Sequence, residues 1–350
     1  MVSEIPESMR ALQIVELKQE LQINEIPVPK IGDNDVLIKV AAAGYCHTDY
    51  QVWEGVFQSK TPLVPSHEPV GTIVAVGLKA SAKWNVGQRV GVLLFRHQCG
   101  SCMKCKTVND VRFCENIGMA GVNSDGGMAE YMVGDADTLC SLPDAIPFEQ
   151  GAPLMCAGST VWGAIKSAKV PPGAPVGFIG IGGLGSLGVQ FAKALGHPVV
   201  AIDSRPEGRE LATEFKHKAD LVIDSNDPEA ATKIKEWAGE GGLPGVVVCT
   251  DNVPVAGWSL KLLKTHGVCV PLGVPADGLK FSAFDLHFGE LTIVGSLVAS
   301  PAEAQRMLNA VAQYGIQSHV TVVPFEQGPD LLNMYMDPHL KGRLVLKVSG

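Results

Sequence analysis

The chain has no long apolar run, few aromatic residues and fewer basic than acidic side chains. No stretch reaches the roughly 20 predominantly apolar residues of a membrane helix, so a helical membrane protein is not expected. The first twenty residues, MVSEIPESMRALQIVELKQE, carry acids early and hold no apolar centre, which is not the pattern of a secretory signal. Lys and Arg number 28 against 36 Asp and Glu, a formal charge of −8. That balance argues against nucleic acid or an anionic membrane as the main partner. There is no fixed-period repeat and no low-complexity tract. What these absences leave is a soluble globular protein, expected in the cytoplasm. Its 350 residues, 46% of them hydrophobic, suffice for two domains with separate cores.

Short β-branched segments dominate the first part. ALQIVE (11–16), DVLIKVAA (35–42), VGTIVAVG (70–77), QRVGVLL (88–94) and AEYMV (129–133) are bounded by Gly, Pro or Asp, which predicts an irregular β-rich domain. After Pro147, FEQGAPLMCAGSTVWGAIKSAK predicts a helical stretch closed by a Val170-Pro-Pro-Gly turn. Strands and helices then alternate. VGFIG leads into LGSLGVQFAKALG and PVVAID into RPEGRELATEFK, followed by DLVID, GVVVCT, GVCVPLG and LTIVGS. Six strands in this alternation predict a doubly wound parallel sheet, an α/β fold of Rossmann type. The tail closes with LVLKV (344–348), expected to rejoin the first domain. The expected division is 1–152 with 297–350 for the β-rich domain and 153–296 for the dinucleotide-binding domain.

Within VGFIGIGGLGSLG, Gly180, Gly182, Gly183, Leu184 and Gly185 give a G-x-G-x-x-G match that leaves a predicted strand and opens a predicted helix. The first glycine permits a tight turn, the second lets a diphosphate approach the backbone, and the third lets helix and strand pack closely. A turn with no ligand could carry the same glycines. The next strand, however, ends in Asp203, just over 20 residues on, where an acid hydrogen-bonds an adenosine ribose. Its charge would repel a 2′-phosphate, so NAD is expected, while Arg205 and Arg209 leave NADP open.

Nine cysteines are distributed unevenly. Cys99, Cys102, Cys105 and Cys114 crowd into CGSCMKCKTVNDVRFC, and in a reducing compartment such clusters are more often metal or redox centres than bridges. Zinc, an iron–sulfur cluster and a redox pair all fit that spacing. Cys140, Cys249 and Cys269 lie in or beside apolar segments and read as small hydrophobes. Cys46 (GYCHTDYQ) and Cys156 (LMCAGST) have polar or small neighbours, and His67 and Glu68 stand between prolines in VPSHEPVG. Two thiolates and an imidazole suit zinc with a fourth position open. Taken singly, each would be an ordinary core cysteine or a satisfied polar histidine.

CHTD at 46–49, HE at 67–68, the four-thiol cluster, CAGST at 156–160, GIGGLG at 180–185, GSLV at 295–298 and KGRLV at 341–345 follow in an order that resembles zinc-dependent alcohol dehydrogenases of the medium-chain dehydrogenase/reductase superfamily, nearest the yeast-type branch. The resemblance spans nearly the whole chain. It implies a GroES-like catalytic domain beside the Rossmann domain, a homotetramer or homodimer, and NAD(P)-dependent interconversion of an alcohol with its aldehyde or ketone. Two zinc ions per subunit are implied as well. The catalytic ion would sit on Cys46, His67 and Cys156, a set already known in alcohol dehydrogenases, and the structural ion on Cys99, Cys102, Cys105 and Cys114. Glu68 would approach the catalytic ion during ligand exchange, Asp49 would accept the second N–H of His67, and Thr48 would pass on the alcohol proton. His47 and Arg343 would meet the cofactor diphosphate, Thr160 the nicotinamide ring, and Val274, Ser296 and Val298 its carboxamide surroundings.

Some positions depart from the family. The interval 106–113 before Cys114 is one residue longer than usual. Gln51 stands where the yeast-type proton relay ends in histidine. An amide takes up no proton near neutral pH, so protons are expected to leave through water or another group. Ser66 replaces a common glycine, and Leu94 and Phe95 replace a tryptophan–leucine pair, which predicts substrates bulkier than ethanol. The competing expectations are a zinc-free quinone or enoyl reductase of the same superfamily and a non-enzymatic nucleotide-sensing protein. Neither needs Cys46, His67 and Cys156 together.

Overall fold

The computed structural model describes residues 5–275 and 277–349. Two compact units emerge: one takes the chain through Cys156 with Ser300–Ala312 and the segment from Val320 onward, the other Ala157–Ala299 with Gln313–His319. In the first unit, β1 (Ser8–Gln13) and β2 (Gln22–Pro27) pair antiparallel. The larger sheet is organised by β3 (Asp35–Tyr45), whose buried Val36, Ile38 and Val40 join the core with Leu12, Ile14 and Ile73. Helix α1 (His47–Trp53) follows it directly. β3 pairs antiparallel with β4 (Pro69–Val76), with register shifts at Leu37/Ile38 and Val40/Ala42. Such irregularities re-aim side chains, and the second lies just ahead of Gly44 and Cys46.

β5 (Arg89–Val92) extends the sheet, and β6 (Phe95–Arg96) pairs with β7 (Gly118–Met119) beyond helix α2 (Met103–Thr107). β8 (Tyr131–Asp135) pairs with residues 35–39 of β3, two residues later than AEYMV predicts, and β9 (Leu139–Ser141) pairs with β5. The helical stretch expected after Pro147 is broken. α3 (Phe148–Gly151) tightens into a 3-10 turn over Ala152–Met155, and α4 (Ala157–Ser167) starts afresh. Pro153 cannot donate to an α-helical ladder, and the break sets Cys156 between the two helical pieces.

The second unit is the doubly wound α/β sheet the alternation predicts. β10 (Val176–Ile179), β11 (Val199–Asp203), β12 (Leu221–Asp224), β13 (Leu243–Val248), β14 (Leu263–Pro271) and β15 (Thr292–Ile293) are all parallel, in the order β12-β11-β10-β13-β14-β15. The order reverses between β10 and β13, the switch point where such sheets bind ligands. β10, β11 and β13 are buried throughout, as strands covered by helices on both faces must be. Helices α5 (Gly183–Ala194) and α6 (Pro206–Glu214) follow β10 and β11.

The chain then returns to the first sheet. β16 (Val320–Pro324) lies parallel to β17 (Arg343–Lys347), which pairs antiparallel with Ala42–Tyr45 of β3. No helix among the described residues is long and apolar enough to cross a membrane.

Candidate metal and cofactor site

Cys46 stands between β3 and α1, at the cap of the helix. Asp49 in the first turn accepts the Cys46 N–H through Oδ2 (2.8 Å) and the Ser66 N–H through Oδ1 (2.8 Å), so one buried carboxylate ties the helix start to the His67 turn. His67 Nδ1 stands 3.7 Å from the same Oδ1, longer than a hydrogen bond. Ser66 adopts a left-handed φ of 78°, its hydroxyl donating to the Gly44 carbonyl (2.8 Å) and accepting the Glu68 N–H (3.2 Å). The helix break brings Cys156 to this place from the other side of the sequence. One ligand atom each from Cys46, His67, Glu68 and Cys156 then lies within 4.8 Å of all the others.

The donor set fits a metal ion. Both ring nitrogens of His67 and Oε2 of Glu68 are buried without a hydrogen-bond partner among the described residues, whereas buried polar atoms are ordinarily satisfied. Cys46 Sγ and Cys156 Sγ are 3.9 Å apart. A tetrahedral zinc with bonds of about 2.3 Å would hold two sulfurs about 3.8 Å apart. The side chains share protons meanwhile. The hydrogen bond from Cys156 holds the Cys46 thiol well below its ordinary range against the effect of burial, and that same bond, with burial, raises Cys156. Burial pushes Glu68 up to about 7, with the Arg343 charge opposing. A divalent cation displaces the protons of such a set.

Arg343 lies in β17, is 7% exposed, and pairs through Nη2 with Glu68 Oε1. The resemblance assigns it to a cofactor diphosphate; here its charge faces Glu68. Gly44 was not singled out by the sequence, yet a methyl there would sit 1.9 Å from Glu68 Oε2. Its signal was available: a glycine inside a long strand marks a close approach. Tyr335, whose hydroxyl lies 2.9 Å from Nδ1 of the exposed His47, gave no sequence signal at all. Thr48 is half-buried in α1.

The thiol cluster forms a separate lobe. Sγ atoms of Cys99, Cys102, Cys105 and Cys114 lie within 4.8 Å of one another. Backbone N–H groups of Cys99, Cys102 and Cys105 each donate to a cluster sulfur at 3.4 Å, a pattern that favours thiolates. Hydrogen bonds from the Ser101 and Cys102 backbones lower Cys99 to about 5. Asn109 turns left-handed (φ 51°) and Asp110 pairs with Arg112, so the longer interval is taken up before Cys114.

In the second unit Gly180 (φ 86°) leaves β10, Gly182 precedes α5, and Gly183, Leu184 and Gly185 form its first turn. A methyl on Gly185 would lie 2.2 Å from the Gly180 carbonyl oxygen. Asp203 Oδ2 accepts the Ile181 N–H (2.6 Å), tying the end of β11 to this turn. Thr160 sits on α4, and a methyl on Gly163 of that helix would lie 2.4 Å from the Val298 carbonyl, so the Ser296–Val298 segment packs closely on it. Val274 is 78% exposed.

The comparisons with known proteins agree with these features. Residues 32–144 match the alcohol dehydrogenase GroES-like domain, and residues 183–313 match the zinc-binding dehydrogenase domain. An alcohol dehydrogenase of Geobacillus stearothermophilus is 36% identical over 343 residues, 97% of this chain and 100% of that one. The structure of a cinnamyl alcohol dehydrogenase from Sorghum bicolor superposes with a TM-score of 0.87 at 29% identity, covering 98% of each chain. Acetophenone reductase from Geotrichum candidum, solved with NAD, gives a TM-score of 0.84 at 28% identity over 99% of this chain and 98% of that one. The chain therefore belongs to the zinc-binding alcohol dehydrogenases of the medium-chain dehydrogenase/reductase superfamily, a family of oxidoreductase enzymes.

Proposed function

We propose that the protein interconverts alcohols bulkier than ethanol with their aldehydes or ketones, with NAD as hydride carrier, zinc on Cys46, His67 and Cys156, and a structural zinc on Cys99, Cys102, Cys105 and Cys114. The observation that carries this is the convergence of two thiols, an imidazole and a carboxylate around buried atoms that lack partners. When bound, zinc supplies a Lewis acid that lowers the pKa of an alcohol hydroxyl, and NAD supplies the hydride acceptor.

The chain's own residues do the rest. Cys46 and Cys156 contribute negative charge and His67 a neutral donor. Asp49 fixes the Cys46–Ser66 frame that aims these groups. Arg343 pairs with Glu68 through Oε1, while Oε2 stays without a hydrogen-bond partner among the described residues, where it would serve the ion during ligand exchange. Thr48, two residues after Cys46 at the start of α1, would orient the hydroxyl and pass its proton on. Gln51 cannot accept that proton, so it would leave through water or another group. Gly180–Gly185 give the diphosphate a close backbone and the N-terminus of α5.

Phe95 is buried in β6 and Leu94 packs on the core, so neither adds tryptophan-sized bulk, which supports the preference for larger substrates. The resemblance carries with it a homotetramer or homodimer. Metal analysis with an alcohol panel tests the whole reading. Zinc should be found in active protein, and kcat/KM for aromatic or long-chain alcohols should exceed that for ethanol by about tenfold or more. Full activity without zinc would favour the zinc-free reductase, and a preference for ethanol would refute the substrate class.

A further inference from the structure

His47 is exposed and stands directly after Cys46, yet its ring does not hang free. Tyr335 closes the short helix Leu331–Tyr335, and its hydroxyl lies 2.9 Å from Nδ1 of the imidazole. Among the described residues this is the ring's only hydrogen bond, so Nε2 stays open. A phenol O–H donating to Nδ1 selects the tautomer that carries its proton on Nε2. The open nitrogen is then a donor, as a phosphate oxygen requires, even where the imidazole is uncharged.

The phenol is itself fixed. Its ring packs on Tyr45, the buried last residue of β3, with 5.2 Å between centroids and 54° between planes. Tyr50, one turn beyond His47 on α1, lies 5.8 Å from the imidazole and 6.0 Å from Tyr335, so three rings enclose one side of the histidine with Tyr45 behind them. The Tyr50 hydroxyl donates to Glu54 Oε1 (2.8 Å) and is engaged there. Tyr335 is therefore the polar group that sets the orientation of the imidazole. An exposed side chain loses rotamer freedom when it grips a ligand, and a ring already held loses less.

We propose that Tyr335 is a positioning residue for cofactor binding: its hydroxyl holds the His47 imidazole so that Nε2–H is presented to the diphosphate of the dinucleotide. The inference rests on the reading that His47 meets this diphosphate. Tyr335 acts through the imidazole rather than on the cofactor, and it reaches α1 across 288 residues of sequence.

Fluorescence titration of the zinc-loaded enzyme with NADH, and displacement of NADH by ADP-ribose and by adenosine, tests it in the wild type, Tyr335→Phe, His47→Gln and the double variant. Phenylalanine keeps the ring packing and removes only the hydroxyl. Tyr335→Phe should weaken NADH and ADP-ribose by about three- to tenfold, the cost of ordering one freed side chain, and adenosine, which has no phosphate, by less than about twofold. His47→Gln should weaken the two diphosphates by about tenfold. Adding Tyr335→Phe to it should cost nothing further, to within about twofold, because the hydroxyl then has no imidazole to hold. Unchanged thermal midpoints and zinc contents would show that the variants fold with the metal site intact. No loss in Tyr335→Phe, an equal loss for adenosine, or the same loss again in the His47→Gln background overturns the inference. If His47→Gln alone binds both diphosphates as the wild type does, the diphosphate role of His47 is itself refuted, and this inference with it.

Discussion

At the scale of single residues, Gly44 carries the tightest steric demand at the metal site. In Gly44→Ala the added methyl would meet Oε2, Cβ and Cδ of Glu68 at 1.9, 3.0 and 3.0 Å, with the carboxylate pinned to Arg343 on its other side. Relief requires breaking a buried ion pair, a loss of about 3–5 kcal/mol. The variant should show a lower thermal midpoint and lose zinc faster to a chelator, as read by elemental analysis. Wild-type values for both would show that Glu68 is free to move aside. The motif residues Cys46, His67 and Cys156 were legible because their identities are chemically distinctive. The Glu68–Arg343 pair was not, since it joins positions 275 residues apart that meet only after β4, β3 and β17 align. Nor was the double duty of Asp49, whose oxygens hold the Cys46 and Ser66 amides.

At the scale of elements, the β10–turn–α5 unit depends on a close approach that only glycine permits. Gly185→Val would drive its side chain into the Gly180 carbonyl oxygen, 2.2 Å from the position of Cβ. The variant should lose at least about tenfold in NADH affinity by fluorescence titration. The thiol lobe supplies a prediction in pH. Arg112, hydrogen-bonded to Asp110, holds that carboxyl below its ordinary range against partial burial. Because the folded value lies below the unfolded one, the stabilisation is complete above about pH 4 and is lost as pH falls through the folded value. Asp110→Asn, which keeps a cap but no charge, should cost about 1 kcal/mol at pH 7 in denaturant unfolding, and the deficit should shrink on acidification. An equal deficit at pH 7 and pH 3 would show that the charge is irrelevant. The βα alternation made the second unit's sheet readable, since each buried strand is a run of apolar residues. β6, β7 and β9 were not, because strands of two or three residues are defined by distant partners. The break at Pro153 was missed because the apolar run continues through it.

At the scale of the molecule, the cysteines should sort into two populations. Cys140 and Cys249 are pushed up to about 12 by burial, and Cys269 is raised by the same cause. In the native protein an alkylating agent at neutral pH should leave these three unmodified. Cys46, Cys156 and the four lobe thiols should become reactive once a chelator is added, with mass spectrometry locating the adducts. Labelling of the lobe in untreated protein would mean that its sulfurs hold no metal.

The return of β17 to β3 imposes a timetable on synthesis. Ala42–Tyr45, the strand end that aims Cys46, finds its partner in Leu344–Lys347 only after the whole second unit has left the ribosome. At about 5–20 residues per second, roughly 10–40 s pass between the emergence of Cys156 and that of Arg343. During that interval the nascent chain carries an uncovered strand edge beside thiols able to capture stray metal. The Rossmann-type unit emerges within that interval and is complete before Arg343, so a chaperone acting on this polypeptide during translation would find its client surface in the older, N-terminal part.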